Sequence, residues 1–187
     1  MVSIIWTGYV PLENGVPNRW TWLAVPTLLL FAVATSACGG GEKSAEDRMP
    51  KLGSEGFAII EEGRDQFAAP GLDTYRALYQ SADGRAAIVL IYVEESEVRA
   101  LDQYATLSVA LENPPPEFFG GEAAQDEAVA LAIGDESRAF VTAEADEKGN
   151  RVWTDIYRSG KVVLITQVLS AGDSAEDLRE AIARKVI

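Results

Sequence analysis

Cys38 is the only cysteine of this 187-residue chain, and small residues stand immediately before it. A cysteine reacts as its thiolate, which is a nucleophile that can be covalently modified or oxidised. Because the chain has no second cysteine and no histidine, an intramolecular disulfide and a Cys–His catalytic pair are both excluded. Ser36 and Ala37 leave room for a peptidase to reach an extended backbone. The spacing therefore favours modification of Cys38 over catalysis by it.

The remaining residues match no catalytic motif. Without histidine there is no Ser-His-Asp triad and no histidine-containing zinc site. The sequence has neither a G-x-x-x-x-G-K-[ST] phosphate loop nor a G-x-G-x-x-G fingerprint, and no spacing singles out two carboxylates. Ser159 and Lys161 are candidates for a serine–lysine dyad by adjacency alone, and residues two apart on a turn rarely form one. We therefore expect no enzyme and no cofactor.

Two further groups could bind a ligand. The polar run 146–150 is faintly similar to part of a calcium loop, but it lacks the loop spacing and the terminal glutamate, so a hairpin turn is favoured and no metal is expected. Four aromatic residues could line an apolar ligand cleft or, as is more common for large aromatics, pack in the core. They are Phe118 and Phe119 in a glycine-rich stretch and Trp153 and Tyr157 on one strand face.

An apolar segment leads up to Cys38. From Trp20 to Ala37 the chain has 18 residues without a charge, following Arg19. This is close to the roughly 20 residues that span a bilayer, but Pro26 interrupts the segment and its apolar centre is short. Such a layout is typical of an export signal.

Together, Thr35, Ser36, Ala37 and Cys38 resemble the lipobox of bacterial lipoprotein precursors, with Thr35 standing where the family usually has an aliphatic residue. The resemblance implies that the chain is cleaved before Cys38, that Cys38 carries a lipid, and that the protein is anchored outside the cytoplasm on the bacterial membrane or envelope. Two alternatives stay open. An ordinary signal peptidase could cut after Ala34 or Ala37, or the segment could remain as an uncleaved anchor.

These features divide the chain into three parts. Residues 1–37 are an N-terminal extension plus signal peptide, and the true start is predicted at Val16. Residues 38–54 are the lipidated cysteine and a flexible tether rich in glycine and charge. Residues 55–187 are a single globular domain. Glu13 and Arg19 cancel in the first part, so the formal charge of −13 belongs to the rest, which disfavours nucleic acid and anionic lipid as partners.

The first half of the domain predicts strands and one helix. Residues 56–60 form an apolar run, and residues 75–80 and 86–93 form a hairpin with Asp83-Gly84 in its turn. A helix is predicted over 97–111 because apolar residues recur at three- and four-residue steps, with Ser96 as its cap. Prolines 114–116 end it. The recurring residues are Val98, Leu101, Ala105 and Ser108 or Leu111.

The second half predicts four strands and a closing helix. The strands are 129–133, 137–143, 152–158 and 161–169, the last two joined at Ser159-Gly160. A helix starts at Ser174, where Asp177 completes a capping box. Its inner face is formed by Leu178, Ile182 and Val186.

This order of elements predicts an α+β fold, with an antiparallel sheet of hairpins packed against a mid-chain and a C-terminal helix. The hairpin 155–163 followed by a helix is similar to PsbP-like and mycobacterial lipoprotein-type domains. We expect a non-enzymatic binding or accessory domain that engages an envelope protein or small ligand. The alternative is an extracytoplasmic hydrolase with carboxylate or serine–lysine chemistry.

Overall fold

The fold is one large antiparallel sheet with a helix on each face. The computed structural model describes residues 6–7, 21–22, 42–65, 68–112, 125–170 and 173–187. Two short strands, β1 (Trp6–Thr7) and β2 (Thr21–Trp22), pair with each other. The other seven strands form one sheet in the order β3-β4-β5-β9-β8-β7-β6. They are β3 (Phe57–Gly63), β4 (Asp73–Ser81), β5 (Ala86–Val93), β6 (Gln125–Ala128), β7 (Glu136–Thr142), β8 (Arg151–Ser159) and β9 (Val162–Ser170).

The predicted α+β class is confirmed, and the two helices lie on opposite faces of the sheet. Helix α1 (Glu97–Glu112) packs against the face that carries Ile156 and Val163. Helix α2 (Asp173–Val186) packs against the face that carries Tyr157 and Leu164. Because neighbouring residues of a strand point to opposite faces, β8 and β9 contribute to both cores.

The predicted hairpins are present, and turn glycines explain why they close where they do. Gly84 has φ +89° between β4 and β5, and Gly160 has φ +54° between β8 and β9. Side chains with a Cβ rarely adopt these angles. Ser159 pairs with Val162, so the two-residue loop is Gly160-Lys161, one residue later than predicted. The turn at 146–150 also lies where it was expected.

One predicted strand is wrong. Residues 129–133 form no strand; the strand is β6 at Gln125–Ala128, paired with β7. Leu131 and Ile133 pack against the core under α2, whereas Val129 is 88% exposed. The apolar residues alternate because two of them, Leu131 and Ile133, pack on the core, although the segment pairs with no strand.

Helix α1 begins where expected, with Ser96 Oγ accepting a hydrogen bond of 3.2 Å from the Arg99 backbone N–H. Its packed face agrees with the predicted one only at the C-terminal end of the helix. Ala100, Tyr104 and Leu111 are buried against the sheet, whereas Val98 and Leu101 face solvent. The predicted series is thus divided between two surfaces: Ser108 and Leu111 are buried, whereas Val98, Leu101 and Ala105 are exposed.

Residues 42–54 do not form a flexible tether as predicted. Two short 3-10 turns, Glu46–Arg48 and Gly53–Glu55, lie against the domain. Ala45 and Leu52 are buried in the core, and the Ala45 N–H donates to Asp73 Oδ2 at 3.0 Å. The domain therefore includes this segment.

The predicted attachment site, Thr35, Ser36, Ala37 and Cys38, lies outside the described residues, as do Phe118 and Phe119. The division of the chain at residue 37 stays a prediction. Within the described ranges, no helix has both the length and the apolar character required to cross a bilayer.

Candidate functional site

A buried ion pair lies between α2 and the centre of the sheet. Asp155 on β8 is fully buried, and Arg179 on α2 is 3% exposed. Arg179 Nε donates to Asp155 Oδ2 at 2.8 Å, and its Nη2 donates to Oδ1 at 2.6 Å. This two-point contact is the geometry that a guanidinium and a carboxylate bind in most strongly. It fixes α2 on the sheet.

Three further groups contact the ion pair. Thr166, directly opposite Asp155 on β9, has its Oγ1 3.4 Å from Asp155 Oδ2. Arg179 Nη2 also lies 3.3 Å from the carbonyl oxygen of Val129, and the guanidinium carbon is 4.7 Å from the centre of the Trp153 ring. The cation is thus bound by a carboxylate, a carbonyl and an aromatic face. Segment 129–133 is attached to α2 through this contact.

Sequence reasoning missed both charged partners. Asp155 stands between Trp153 and Tyr157 on the same face of β8, and that alternation alone placed a carboxylate among core residues. A buried carboxylate requires a partner. Arg179 follows Leu178 on the inner side of α2, but nothing local to α2 pairs it with a residue 24 positions away.

The two β8 aromatics of the predicted cleft lie beside this pair. Tyr157 is fully buried in the core under α2, and Trp153 packs at its border. Burial raises the pKa of Tyr157 well above its ordinary value, so the phenol stays neutral. Among the described residues, neither Tyr157 Oη nor Trp153 Nε1 has a hydrogen-bond partner. These contacts favour core packing for both side chains, and a cleft with Phe118 and Phe119 stays a prediction.

The hydroxyl of Tyr157 should therefore contribute little to stability. We expect Tyr157→Phe to change the free energy of unfolding by less than about 1 kcal/mol, with either sign, because no hydrogen bond is lost. Tyr79→Phe is the matched control, since Tyr79 Oη donates to the Pro50 carbonyl at 2.8 Å. It should lose about 1 kcal/mol in urea unfolding. Equal losses in the two variants would contradict the assignment.

The other predicted groups make structural contacts. Lys161 Nζ lies 3.1 Å from Glu42 Oε2 in an ion pair. Asp146 Oδ1 accepts hydrogen bonds of 2.8 Å from the backbone N–H groups of Lys148 and Asn150, which closes the turn. In the described part of the chain, no three His, Cys, Asp or Glu residues are grouped as a metal site requires.

An apolar stripe is exposed along one side of α1, next to the face that packs on the sheet. Val98 is 70% exposed, Leu101 43% and Val109 61%. Ala105 lies between them and is also exposed. At 100° per residue these four side chains fall on one side of the helix. We call Val98, Leu101, Ala105 and Val109 the α1 outer face.

Comparison with known proteins gives a likeness of fold. No family model matches the chain, and no curated protein matches it. Among solved structures, the extracellular domain of PknH from Mycobacterium tuberculosis is similar, with a TM-score of 0.54 at 10% sequence identity. The match covers 78% of this chain and 98% of that one. The two chains therefore share a fold, which agrees in part with the predicted similarity to mycobacterial lipoprotein-type domains.

Proposed function

We propose that the protein is a lipid-anchored, extracytoplasmic binding domain that engages another protein of the cell envelope and catalyses no reaction. Cys38 is the lipid attachment point. The partner binds the α1 outer face.

The exposed α1 outer face carries this proposal. A helix that packs one face on a sheet normally presents polar residues over the rest of its surface. Here the exposed surface beside the packed face presents Val98, Leu101 and Val109 to solvent. Contiguous apolar surface of this kind is typical of protein-binding sites.

The location is supported by the sequence and by the likeness of fold. A short apolar segment ends in small residues and a lone cysteine. An unpaired thiol in an oxidising compartment is unfavourable, and lipidation removes it. The structural neighbour is the extracellular domain of a mycobacterial protein, which fits a domain that works outside the membrane.

The anchor is tested in the membrane fraction. Intact-mass measurement should give a chain that begins at an acylated Cys38. The Cys38→Ser variant should be neither lipidated nor cleaved to this mature form. Ser36→Ala is the matched control, because a small residue before the cysteine is kept. A chain that retains Trp20, or a Cys38→Ser protein with the same mass shift as wild type, would overturn the proposal.

Binding is tested in cells that produce the protein with a photo-crosslinking amino acid at Leu101. Val129 is the exposed apolar control position. At Leu101 we expect a crosslinked adduct whose mass exceeds that of one copy of the protein and differs from that of two copies. At Val129 we expect no adduct. Equal adducts at both positions, or none at Leu101, would exclude the α1 outer face.

A further inference from the structure

The α1 outer face is long enough to bind one helix. From Val98 to Val109 the helix rises about 16 Å, at 1.5 Å per residue. The stripe follows the helix axis, as the contact surface of a paired helix does. A partner helix of about three turns would cover it.

Acidic side chains lie on both sides of this stripe, and Arg158 of β8 is close enough to one of them, Glu97, to interact with it. Glu97 and Asp102 lie on either side of it on the helix surface, and both are exposed. Glu94 and Glu95 precede the helix, and Arg99 is the only basic residue of α1. The whole chain has a formal charge of −13. An approaching segment therefore meets an apolar stripe between two acidic edges.

We infer that the α1 outer face binds a basic amphipathic helix of the partner, an inference that rests on the proposed function. Apolar residues of such a helix cover Val98, Leu101 and Val109, while lysine or arginine residues at its edges face Glu97 and Asp102. Complementary charge also speeds the encounter. A second copy of this chain would bring acidic edges together, which is unfavourable. An anionic membrane would be repelled in the same way.

Two synthetic peptides test this chemistry on the lipidated protein in phosphatidylcholine nanodiscs, with empty discs as the blank. Both peptides have 14 residues and four leucines on one face; one carries lysines beside the leucines and the other carries glutamates. We expect the lysine peptide to bind at least about tenfold more tightly, a difference of about 1.4 kcal/mol. Its affinity should fall as salt is raised, because charge contributes to it.

Variants locate the binding site. Val98→Ala/Leu101→Ala/Val109→Ala should weaken the lysine peptide about tenfold or more, while alanine preserves the helix. The matched control is Ile59→Ala/Ile60→Ala, which removes exposed apolar side chains from β3 and should leave the affinity for the lysine peptide unchanged. Glu97→Lys/Asp102→Lys should reverse the preference toward the glutamate peptide, even if the apolar variant is less stable.

Several outcomes would overturn the inference. They are equal binding of both peptides, unchanged binding after charge reversal, and concentration-dependent self-association in sedimentation. Tighter peptide binding by Phe118→Ser/Phe119→Ser would indicate instead that the chain's own residues 113–124 cover the stripe. A crosslinked adduct at Leu101 together with failure of the lysine peptide would retain the proposed function and exclude only this partner chemistry.

Discussion

Replacing Arg179 with methionine should lower the free energy of unfolding by about 3–5 kcal/mol, because it leaves the fully buried carboxylate of Asp155 without its cation. The guanidinium donates to both carboxylate oxygens. The loss would be a large part of the roughly 5–15 kcal/mol that stabilises a domain. Urea unfolding followed by fluorescence measures it.

A matched variant and a double variant separate the ion pair from general loss of a charge. Arg184→Met removes an exposed arginine that pairs with Glu180 one turn away, and should cost less than about 0.5 kcal/mol. Asp155→Leu/Arg179→Met replaces both charges by apolar groups and should be more stable than Arg179→Met alone. Equal loss in Arg179→Met and Arg184→Met would contradict the assigned role.

Gly134→Ala should destabilise the protein by about 2–5 kcal/mol, since it combines backbone strain with a close contact. Gly134 has φ +77°, and a Cβ there would lie 2.5 Å from the carbonyl oxygen of Arg158 and 3.2 Å from Ile187 Cγ2. That carbonyl accepts the Asp135 N–H at 2.7 Å, so it cannot withdraw without losing this hydrogen bond. Thermal and urea unfolding should both report the loss.

Gly149→Ala is the control for strain alone. Its φ of +81° is similar, but no atom lies within 4 Å of the added Cβ. We expect a cost of about 1–2 kcal/mol, from the left-handed conformation only. If the two alanine variants unfold at the same urea concentration, the contact with Arg158 contributes nothing.

Local signals were sufficient to predict the hairpins and the closing helix. Asp83-Gly84 and Gly160 mark turns that require positive φ angles, and the β-rich runs beside them pair in sequence order. Leu178, Ile182 and Val186 recur at helical spacing and are buried as predicted. Each of these features depends on residues close to one another in the chain, so periodicity and turn chemistry can reveal it.

The wrong predictions concern features that depend on tertiary contacts: the rotation of α1 and the conformation of segment 129–133. Periodicity located α1 but not its rotation against the sheet, because the predicted series mixes the exposed Val98 with the buried Ser108 and Leu111. Segment 129–133 alternates like a strand, yet it lies on the core beside α2. The spacing of apolar residues reveals their periodicity but not the surface against which they pack.

The candidate sites were predictable only in part. Trp153 and Tyr157 were placed on the correct strand face, since alternation fixes this. The contact of Asp155 with Arg179 was not predictable, because it joins residues 24 positions apart on different elements. Val98, Leu101 and Ala105 were predicted as part of one apolar series of α1, and their exposure depends on how the helix is rotated against the sheet.

With the proposed lipid on Cys38, the packed segment that opens the domain would limit how far the protein can lie from the membrane. Residues 42–54 lie against the sheet, with Glu42 paired to Lys161 and Ala45 bonded to Asp73. With the lipid on Cys38, only the four peptide links to Glu42 remain as a leash, which spans at most about 14 Å when fully extended. The proposed anchor would therefore hold Glu42 within about 14 Å of the lipidated cysteine and keep the domain next to the bilayer.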